Sequence, residues 1–443
     1  MLLGWGLRGY IGGGPFGAMI PGAMVALAIS MLLGFKAGFT SLVVVFGVVG
    51  VGLGGEMTYG QTLGFLRNPE TVWWGNLGTT LKGAVWGIGG GAILGLGLIQ
   101  KRIPKNTIIL SFIFLLLGLL IGFKLINDPK LIYFSDPVNR PRSESWAGLL
   151  FGSVALIGYL KYKLTKNDFR IIFRFAKWGL ISGGLGFGLG GLWMVLGSNL
   201  PDTLFTSWWK MMEFTFGLLF GMGLGYAAWQ SRKDIAPEKQ IDDDAAEMAP
   251  WKEIFAIFII SLVVYWWFPA LFEPLADRMI YEHGWLNGII GDILRIFINY
   301  AFYGFAIVLI ILYKKELAWQ IGITLTFCHT VIDYMRDLRL QPEVEVNLWI
   351  QLLVVATVTM CVAYLVAIYR QKININNSML QILVWSTITV AFISLFSDVF
   401  IEGRYQYSGF VGLIVRTLFV HIVFLSTAIY VSWKSFNILI LQH

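Results

Sequence analysis

The sequence predicts an all-α fold, a polytopic bundle of 12 or 13 transmembrane helices. Of its 443 residues, 57% are hydrophobic and only 13% are charged, whereas soluble proteins carry about a quarter charged residues. Apolar stretches of about 20 residues, the length that crosses a bilayer, recur along the chain. In addition, 43 of the 51 glycines precede residue 231. These observations predict a close-packed, glycine-rich first half and a second half that packs with bulky aliphatic and aromatic side chains.

The candidate spans follow one another with short connections. They cover residues 10–34, 39–55, 81–100, 107–126, 146–162, 171–197, 209–229, 252–272, 286–313, 317–335, 346–369, 378–402 and 410–433. The longest polar connection is a linker of about 20 residues, too short for a soluble domain. We therefore predict three parts, with six or seven helices in the first and six in the last. They are a glycine-rich transmembrane domain (1–230), a charged cytoplasmic linker (231–251) and a second transmembrane domain (252–443).

One candidate span, 39–55, leaves the helix count open. Its length of about 17 residues is marginal for a full crossing, so the segment fits either a complete span or a re-entrant element. A re-entrant element would give twelve helices, six on each side of the linker. A complete span would give thirteen and would place the amino terminus outside the cell.

Glycines spaced four residues apart predict close helix packing in the first half. The spacing places them on one helix face, where a neighbouring backbone can approach, as in a glycine zipper. The longest row is Gly83, Gly87, Gly91 and Gly95. Arg8 followed by Gly12–Gly14 resembles Lys82 followed by Gly89–Gly91. That similarity indicates either an internal repeat or convergent packing, and a repeat would place Arg8 and Lys82 on the same side.

The distribution of basic residues predicts the orientation. Alternate connections (101–105, 161–177, 232–252, 314–315, 370–372 and Lys434) hold 18 of the 33 basic residues. Short loops rich in Lys and Arg lie in the cytoplasm. We therefore expect a multi-pass protein of the plasma (inner) membrane with a cytoplasmic carboxyl terminus, and we do not interpret the net charge of +7 as nucleic-acid binding.

Ionisable residues within the second-half spans mark a candidate site, because each is costly in hydrocarbon unless it is paired or hydrated. They recur at helical spacing toward the outer side. The set is Asp292, Arg295, His329, Asp333, Asp398, Glu402 and Arg416. One interpretation is an extracytoplasmic polar cavity for a substrate or coupling ion. The other is a set of ion pairs that fastens the bundle. No ligand spacing supports a metal site.

The first half offers a second candidate wall after the 39–55 segment. Glycines flank hydrogen-bonding side chains there, and two basic residues follow. The proposed binding residues are Glu56, Tyr59, Gln61, Arg67 and Lys82. The alternative is an ordinary interfacial turn with a capping carboxylate. Arg67 and Lys82 would either balance Glu56 or, if the amino terminus is outside, bind an anion together with Arg8. Arg140 and Arg142 form a further basic pair on this side.

Composition leaves three functional hypotheses. The chain lacks phosphate-loop, zinc-protease and nucleophile-elbow motifs, and we expect no cofactor. The leading hypothesis is a secondary transporter for a small polar or anionic solute, coupled to protons or another ion. The first alternative is a transferase acting on a lipid-linked substrate at the extracytoplasmic face, with His329, Asp333 or Asp398 as catalytic candidates. The second alternative is a structural subunit of an oligomer or larger membrane complex. The bilayer is the expected partner in each case.

Overall fold

The computed structural model describes residues 1–11, 14–138, 141–200, 207–235, 248–281, 285–328, 330–332, 347–371, 374–400 and 409–440. These residues form helices and turns without a strand. Nine of the helices in this described part are long and apolar enough to cross a membrane. The predicted helical bundle is therefore confirmed, and it has the character of a membrane protein.

Nine α-helices make up the first half of the described chain. They are α1 (Leu2–Ile11), α2 (Pro15–Leu33), α3 (Ala37–Leu53), α4 (Gly60–Phe65), α5 (Val72–Leu98), α6 (Lys105–Gly122), α7 (Trp146–Lys163), α8 (Lys166–Asn199) and α9 (Trp208–Ile235). Short connections join successive long helices, so neighbouring helices run antiparallel. The end of α3 and the starts of α5, α7 and α9 consequently meet at one end of the bundle, which we call the loop end.

The sequence predicts one continuous span over 10–34, whereas in the structure this segment is divided between two helices. Helix α1 begins at Leu2 and ends at Ile11, and α2 begins at Pro15. Gly14 precedes Pro15 with φ of 101°, a backbone conformation that glycine adopts readily and other residues rarely do. Proline at the first helical position then starts α2 without losing a helix hydrogen bond. The apolar composition of 10–34 concealed this break.

Helix α3 lies in the middle of the molecule. It continues through a 3₁₀ turn to Glu56, giving an uninterrupted run of 20 residues that is long enough for a full crossing. Residues 39–53 are all buried, because α3 contacts helices of both halves. Leu53 meets Gly304 and Val44 meets Gly322, for example. This burial explains why the segment is apolar on every face.

Glycine permits backbone contact between α5 and α8, the pair of helices with the most extensive interface. A methyl group added at Gly83 would overlap the carbonyl oxygen of Gly183, and one added at Gly87 would overlap that of Gly179. The row of glycines on α5 is therefore required for this packing. The contact fixes α5, and with it Lys82, relative to the loop end.

The second half of the described chain contains longer, partly irregular helices. The α-helical segments are α10 (Pro250–Ile259), α11 (Phe268–Tyr281), α12 (Trp285–Ile296), α13 (Ala306–Tyr313), α14 (Leu348–Tyr369), α15 (Ile375–Phe400) and α16 (Gly409–Ile440). Wider π-helical turns connect α10 to α11 and α12 to α13, and another covers Gln320–Leu325. The described residues of the predicted spans 252–272, 286–313, 346–369, 378–402 and 410–433 fall on these helical runs, whereas residues 346, 401 and 402 lie outside the described part of the chain.

Candidate functional site

A cavity of about 440 Å³ opens at the loop end of the first half. Five segments build its wall: α1, the residue before α2, the turn that follows α3, the loop before α7, and the first turns of α9. The lining residues are Arg8, Gly14, Gly55, Glu56, Met57, Thr58, Tyr59, Gly60, Arg142, Trp209 and Glu213. The cavity therefore combines basic, acidic and aromatic side chains from distant parts of the sequence.

Arg8 is the most unusual residue of this wall, because its side chain is buried to 1% exposure. Its Nη1 donates to the Tyr59 hydroxyl at 3.0 Å, and its Nη2 donates to the carbonyl oxygens of Gly14 and Gly55 at 3.3 Å each. All three acceptors are neutral. The buried Nε has no partner among the described residues, and no described carboxylate lies within ion-pair distance of the guanidinium.

Aromatic rings hold the Arg8 guanidinium in place. Its central carbon lies 4.8 Å from the ring centre of Trp86, 4.9 Å from that of Tyr59 and 5.8 Å from that of Trp5. These are cation–π distances. Behind Arg8, Trp5 packs edge-on against Trp86 at 4.9 Å and Phe216 at 4.4 Å. This fully buried aromatic cluster packs behind Arg8, which lines the cavity.

Tyr59 connects Arg8 to the opposite wall. Its ring stacks on Trp209 with 5.8 Å between ring centres and 25° between planes. Burial, partly offset by the Arg8 charge, raises the pKa of Tyr59 to about 12. The hydroxyl therefore keeps its proton and remains a neutral acceptor for Arg8 at physiological pH.

Trp209 and Lys210 orient the buried carboxylate of Glu213 at the start of α9. The indole Nε1 of Trp209 donates to Glu213 Oε1 at 2.9 Å, and Lys210 Nζ lies 3.1 Å from Oε2. Lys210 also donates to the carbonyl oxygen of Gly6 at 2.7 Å. Glu213 has no exposed surface outside the cavity that it lines.

Lys82 lies behind the turn after α3 and does not line the cavity. Its ammonium group donates to the Thr58 carbonyl at 2.7 Å, the Thr62 hydroxyl at 2.8 Å and Glu144 at 2.8 Å. Glu144 also accepts hydrogen bonds from the Phe134 amide and the Ser135 hydroxyl. This ion pair is buried, and it holds the turn that presents Glu56 and Tyr59. Arg8 and Lys82 thus both donate hydrogen bonds to the turn after α3, at the same end of the bundle.

The remaining first-half candidates have different positions. Glu56 is partly buried and lines the cavity. Gln61 accepts a hydrogen bond from the Asp136 amide at 3.0 Å outside the cavity. Arg67 is exposed and is not part of the lining. Arg142 reaches the cavity from the loop before α7 as an exposed side chain, whereas Arg140 lies outside the described residues.

The second-half candidates are described only in part. Asp292 is buried and forms an ion pair with Lys124, which also bonds to Asp128 at 3.0 Å. Arg295 is half-buried on the same helix. Asp398 and Arg416 belong to α15 and α16, but their side chains are not described, and His329, Asp333 and Glu402 lie outside the described residues. Asp292 therefore takes part in an ion pair between two helical segments, which is one of the two arrangements that the sequence allows.

Sequence reasoning missed two charged groups that the structure brings out. Glu213 and Lys210 occur three residues apart within the predicted span 209–229, and this occurrence of ionisable residues in a span was the available signal. The other group joins α10 to the helices beside it. There Glu253 is 1% exposed and accepts from Gln320 at 2.8 Å and from Arg370 at 2.9 Å.

No group of three or more His, Cys, Asp or Glu side chains that would hold a metal ion occurs in the part of the chain that the structure describes. Comparison with protein-family models, curated proteins and solved structures yields no match. The cavity beside Arg8 is therefore the candidate binding site.

Proposed function

We propose that the chain is a secondary carrier that binds a small anionic solute, a carboxylate or phosphate, in the cavity beside Arg8. The observation that carries this proposal is the buried guanidinium, whose three described hydrogen bonds all go to neutral oxygens. A buried charge without a directly bonded counter-ion is costly, and the Glu213 carboxylate acts on Arg8 only from beyond ion-pair distance. An anion in the cavity would supply that counter-ion and accept from the unpartnered Nε.

The size and chemistry of the cavity support a small solute. Its volume of about 440 Å³ is near the lower end of the range for small-molecule sites. Guanidinium groups match carboxylate and phosphate oxygens with paired donors. Arg142 supplies a second such group on the exposed side, where it would attract an anion before Arg8 binds it.

The charge pattern supports an orientation with the cavity facing outward. The connections at the opposite end carry the basic residues that mark the cytoplasmic side. With this orientation the carboxyl terminus is cytoplasmic, in a plasma-membrane protein of 12 or 13 helices. The break between α1 and α2 beside the cavity also favours a carrier, because such proteins bind substrates at interrupted helices. Passage of the solute would require the aromatic cluster behind Arg8 to separate.

Uptake by reconstituted vesicles tests the carrier proposal. The purified protein is placed in vesicles, and uptake of labelled propionate, succinate and inorganic phosphate is measured for the wild type, Arg8→Gln and Arg170→Gln. Arg170 is an exposed arginine of α8 at the opposite end, so it is the matched control. We expect Arg8→Gln to reduce uptake at least tenfold, corresponding to loss of about 1.5–3 kcal/mol of charged hydrogen bonding, and Arg170→Gln to leave it unchanged. Uptake that survives Arg8→Gln would refute the proposed site.

A transferase acting on a lipid-linked substrate is the second candidate. Two carboxylates, Glu56 and Glu213, line the same cavity as Arg8. One would serve as a general base while the guanidinium binds a phosphate. Mass spectrometry of lipids from cells with and without the protein tests this function. A modified lipid that disappears in Glu213→Gln cells would favour the enzyme over the carrier, whereas identical lipid profiles would exclude it.

A further inference from the structure

Glu213 is a second charged group of the cavity with a role distinct from that of Arg8. It is a fully buried carboxylate on the cavity wall. Hydrogen bonds from Trp209 at 2.9 Å and Lys210 at 3.1 Å fix its two oxygens. Its orientation is therefore set before any solute arrives.

The charges around Glu213 come from four of the five segments that build the cavity. Lys210 lies on its own helix, Arg8 on α1, Glu56 and the neutral Tyr59 on the turn after α3, and Arg142 on the loop before α7. Lys210 and Arg8 both place positive charge near this carboxylate. An anion bound to Arg8 would offset that positive charge and would place a second negative charge in the same cavity.

We infer that Glu213 takes up one proton when an anion binds at Arg8, so that the proposed carrier moves the anion together with a proton. Two negative charges in one poorly hydrated site favour protonation of the one that can accept a proton. The proton comes from the water on the open side of the cavity and binds a carboxylate oxygen of Glu213. It leaves by the reverse step when the anion leaves. No bond of the solute is broken, and charge balances at one proton for each added negative charge.

Proton uptake and anion affinity are linked in both directions. If anion binding favours protonated Glu213, protonation of Glu213 must strengthen anion binding by the same factor. The affinity then rises as pH falls, by at most tenfold for each pH unit when one proton is taken up. Replacement of Glu213 by glutamine, a neutral side chain of the same shape, would remove this dependence. This inference rests on the proposed anion site but not on transport itself.

Titration calorimetry on the purified full-length protein measures proton uptake directly. Propionate and methanesulfonate are titrated at pH 6, 7 and 8 in pairs of buffers that differ in ionisation enthalpy. The heat difference between buffers gives the number of protons taken up. For the wild type we expect up to one proton per anion and an affinity that weakens up to tenfold per pH unit. Glu213→Gln should bind with no proton uptake and with an affinity independent of pH, and Glu70→Gln, at an exposed position, should behave as the wild type.

The outcomes separate this inference from the proposed function. Wild-type binding without proton uptake would overturn the role of Glu213, and this measurement does not depend on the folding of a variant. Proton uptake that persists when an anion binds to a folded Glu213→Gln protein would overturn the role of Glu213 as well. Absence of binding by both probes would refute the anion site together with its proton coupling. Proton-linked binding without uptake into vesicles would refute only the carrier.

Discussion

Removal of the Lys82 ammonium should destabilise the protein strongly, because the ion pair with Glu144 is buried on both sides. Both side chains are 1% exposed and their charged atoms lie 2.8 Å apart. Lys82→Met leaves the Glu144 carboxylate buried with the Phe134 amide and Ser135 hydroxyl as its remaining donors. Breaking a buried pair by removal of one partner costs about 3–5 kcal/mol. We expect the free energy of unfolding to fall by that amount.

The matched control is Lys314→Met, the same substitution at an exposed pair. Lys314 is 65% exposed and lies 4.0 Å from Glu316. Exposed pairs contribute about 0–1 kcal/mol, so this variant should remain within that range of the wild type. The double variant Lys82→Met/Glu144→Gln removes both charges. Its loss should be about 2 kcal/mol smaller than the sum of the two single losses, since contacting residues are not additive.

The assay is reversible unfolding in mixed micelles at increasing SDS fraction, followed by far-ultraviolet circular dichroism. A loss below about 1 kcal/mol for Lys82→Met would refute the buried ion pair. Additive losses in the double variant would show that the two side chains do not interact. Either result would also show that this ion pair does not hold the turn that presents Glu56 and Tyr59 to the cavity.

Three further predictions concern packing, pH and the second half. Gly87→Ala should lower the free energy of unfolding by about 1–3 kcal/mol, because the added methyl overlaps the carbonyl of Gly179. Gly158→Ala is the control and should leave the free energy of unfolding unchanged, because an added methyl would meet no neighbouring atom within 4 Å. Unfolding in mixed micelles compares the two variants, and equal stabilities would contradict the close packing. Tyr59→Phe should weaken anion binding about fivefold by loss of a hydrogen bond worth about 1 kcal/mol. In Glu213→Gln, whose affinity should not follow a Glu213 proton, the Tyr59 contribution to affinity should hold to about pH 11, one unit above the pKa of an ordinary tyrosine, since its own pKa is about 12. Calorimetric titrations of that variant from pH 8 to 11 would refute this if its affinity fell near pH 10. Glu253→Leu should cost about 2–4 kcal/mol, because it removes the carboxylate that accepts from Gln320 and pairs with Arg370 and leaves these donors only backbone carbonyl acceptors. Unchanged stability in micelles would contradict that network.

The sequence was sufficient to predict the helical character of the chain, because long apolar runs have few alternatives to a membrane-length helix. It also indicated that the residues after 55 form a wall with hydrogen-bonding side chains. Glu56, Tyr59 and Arg8 all line the cavity, and their binding roles remain predictions. These residues are close in sequence or carry charge, so local reasoning could find them.

The remaining features depend on contacts between distant segments. The sequence does not show that Lys82 pairs with Glu144, 62 residues away. It therefore gave no reason to place Lys82 behind the turn rather than in the binding wall. The break near Gly14 was hidden within a continuous apolar segment. Trp209 stacks on Tyr59 and orients Glu213, although neither residue is its neighbour in a sequence motif. Such roles follow from tertiary packing rather than from spacing along the chain.

Direct observation of an anion beside Arg8 tests the central claim. The measurement is an electron cryomicroscopy map of the protein with 4-bromobenzoate, an unreactive aryl bromide whose bromine is readily recognised. We expect ligand density in the cavity, with an oxygen at hydrogen-bonding distance from Arg8 Nε and the aromatic cluster intact behind it. A map with an empty cavity at saturating 4-bromobenzoate, or with the Arg8 guanidinium paired to Glu56 or Glu213, would contradict the anion site.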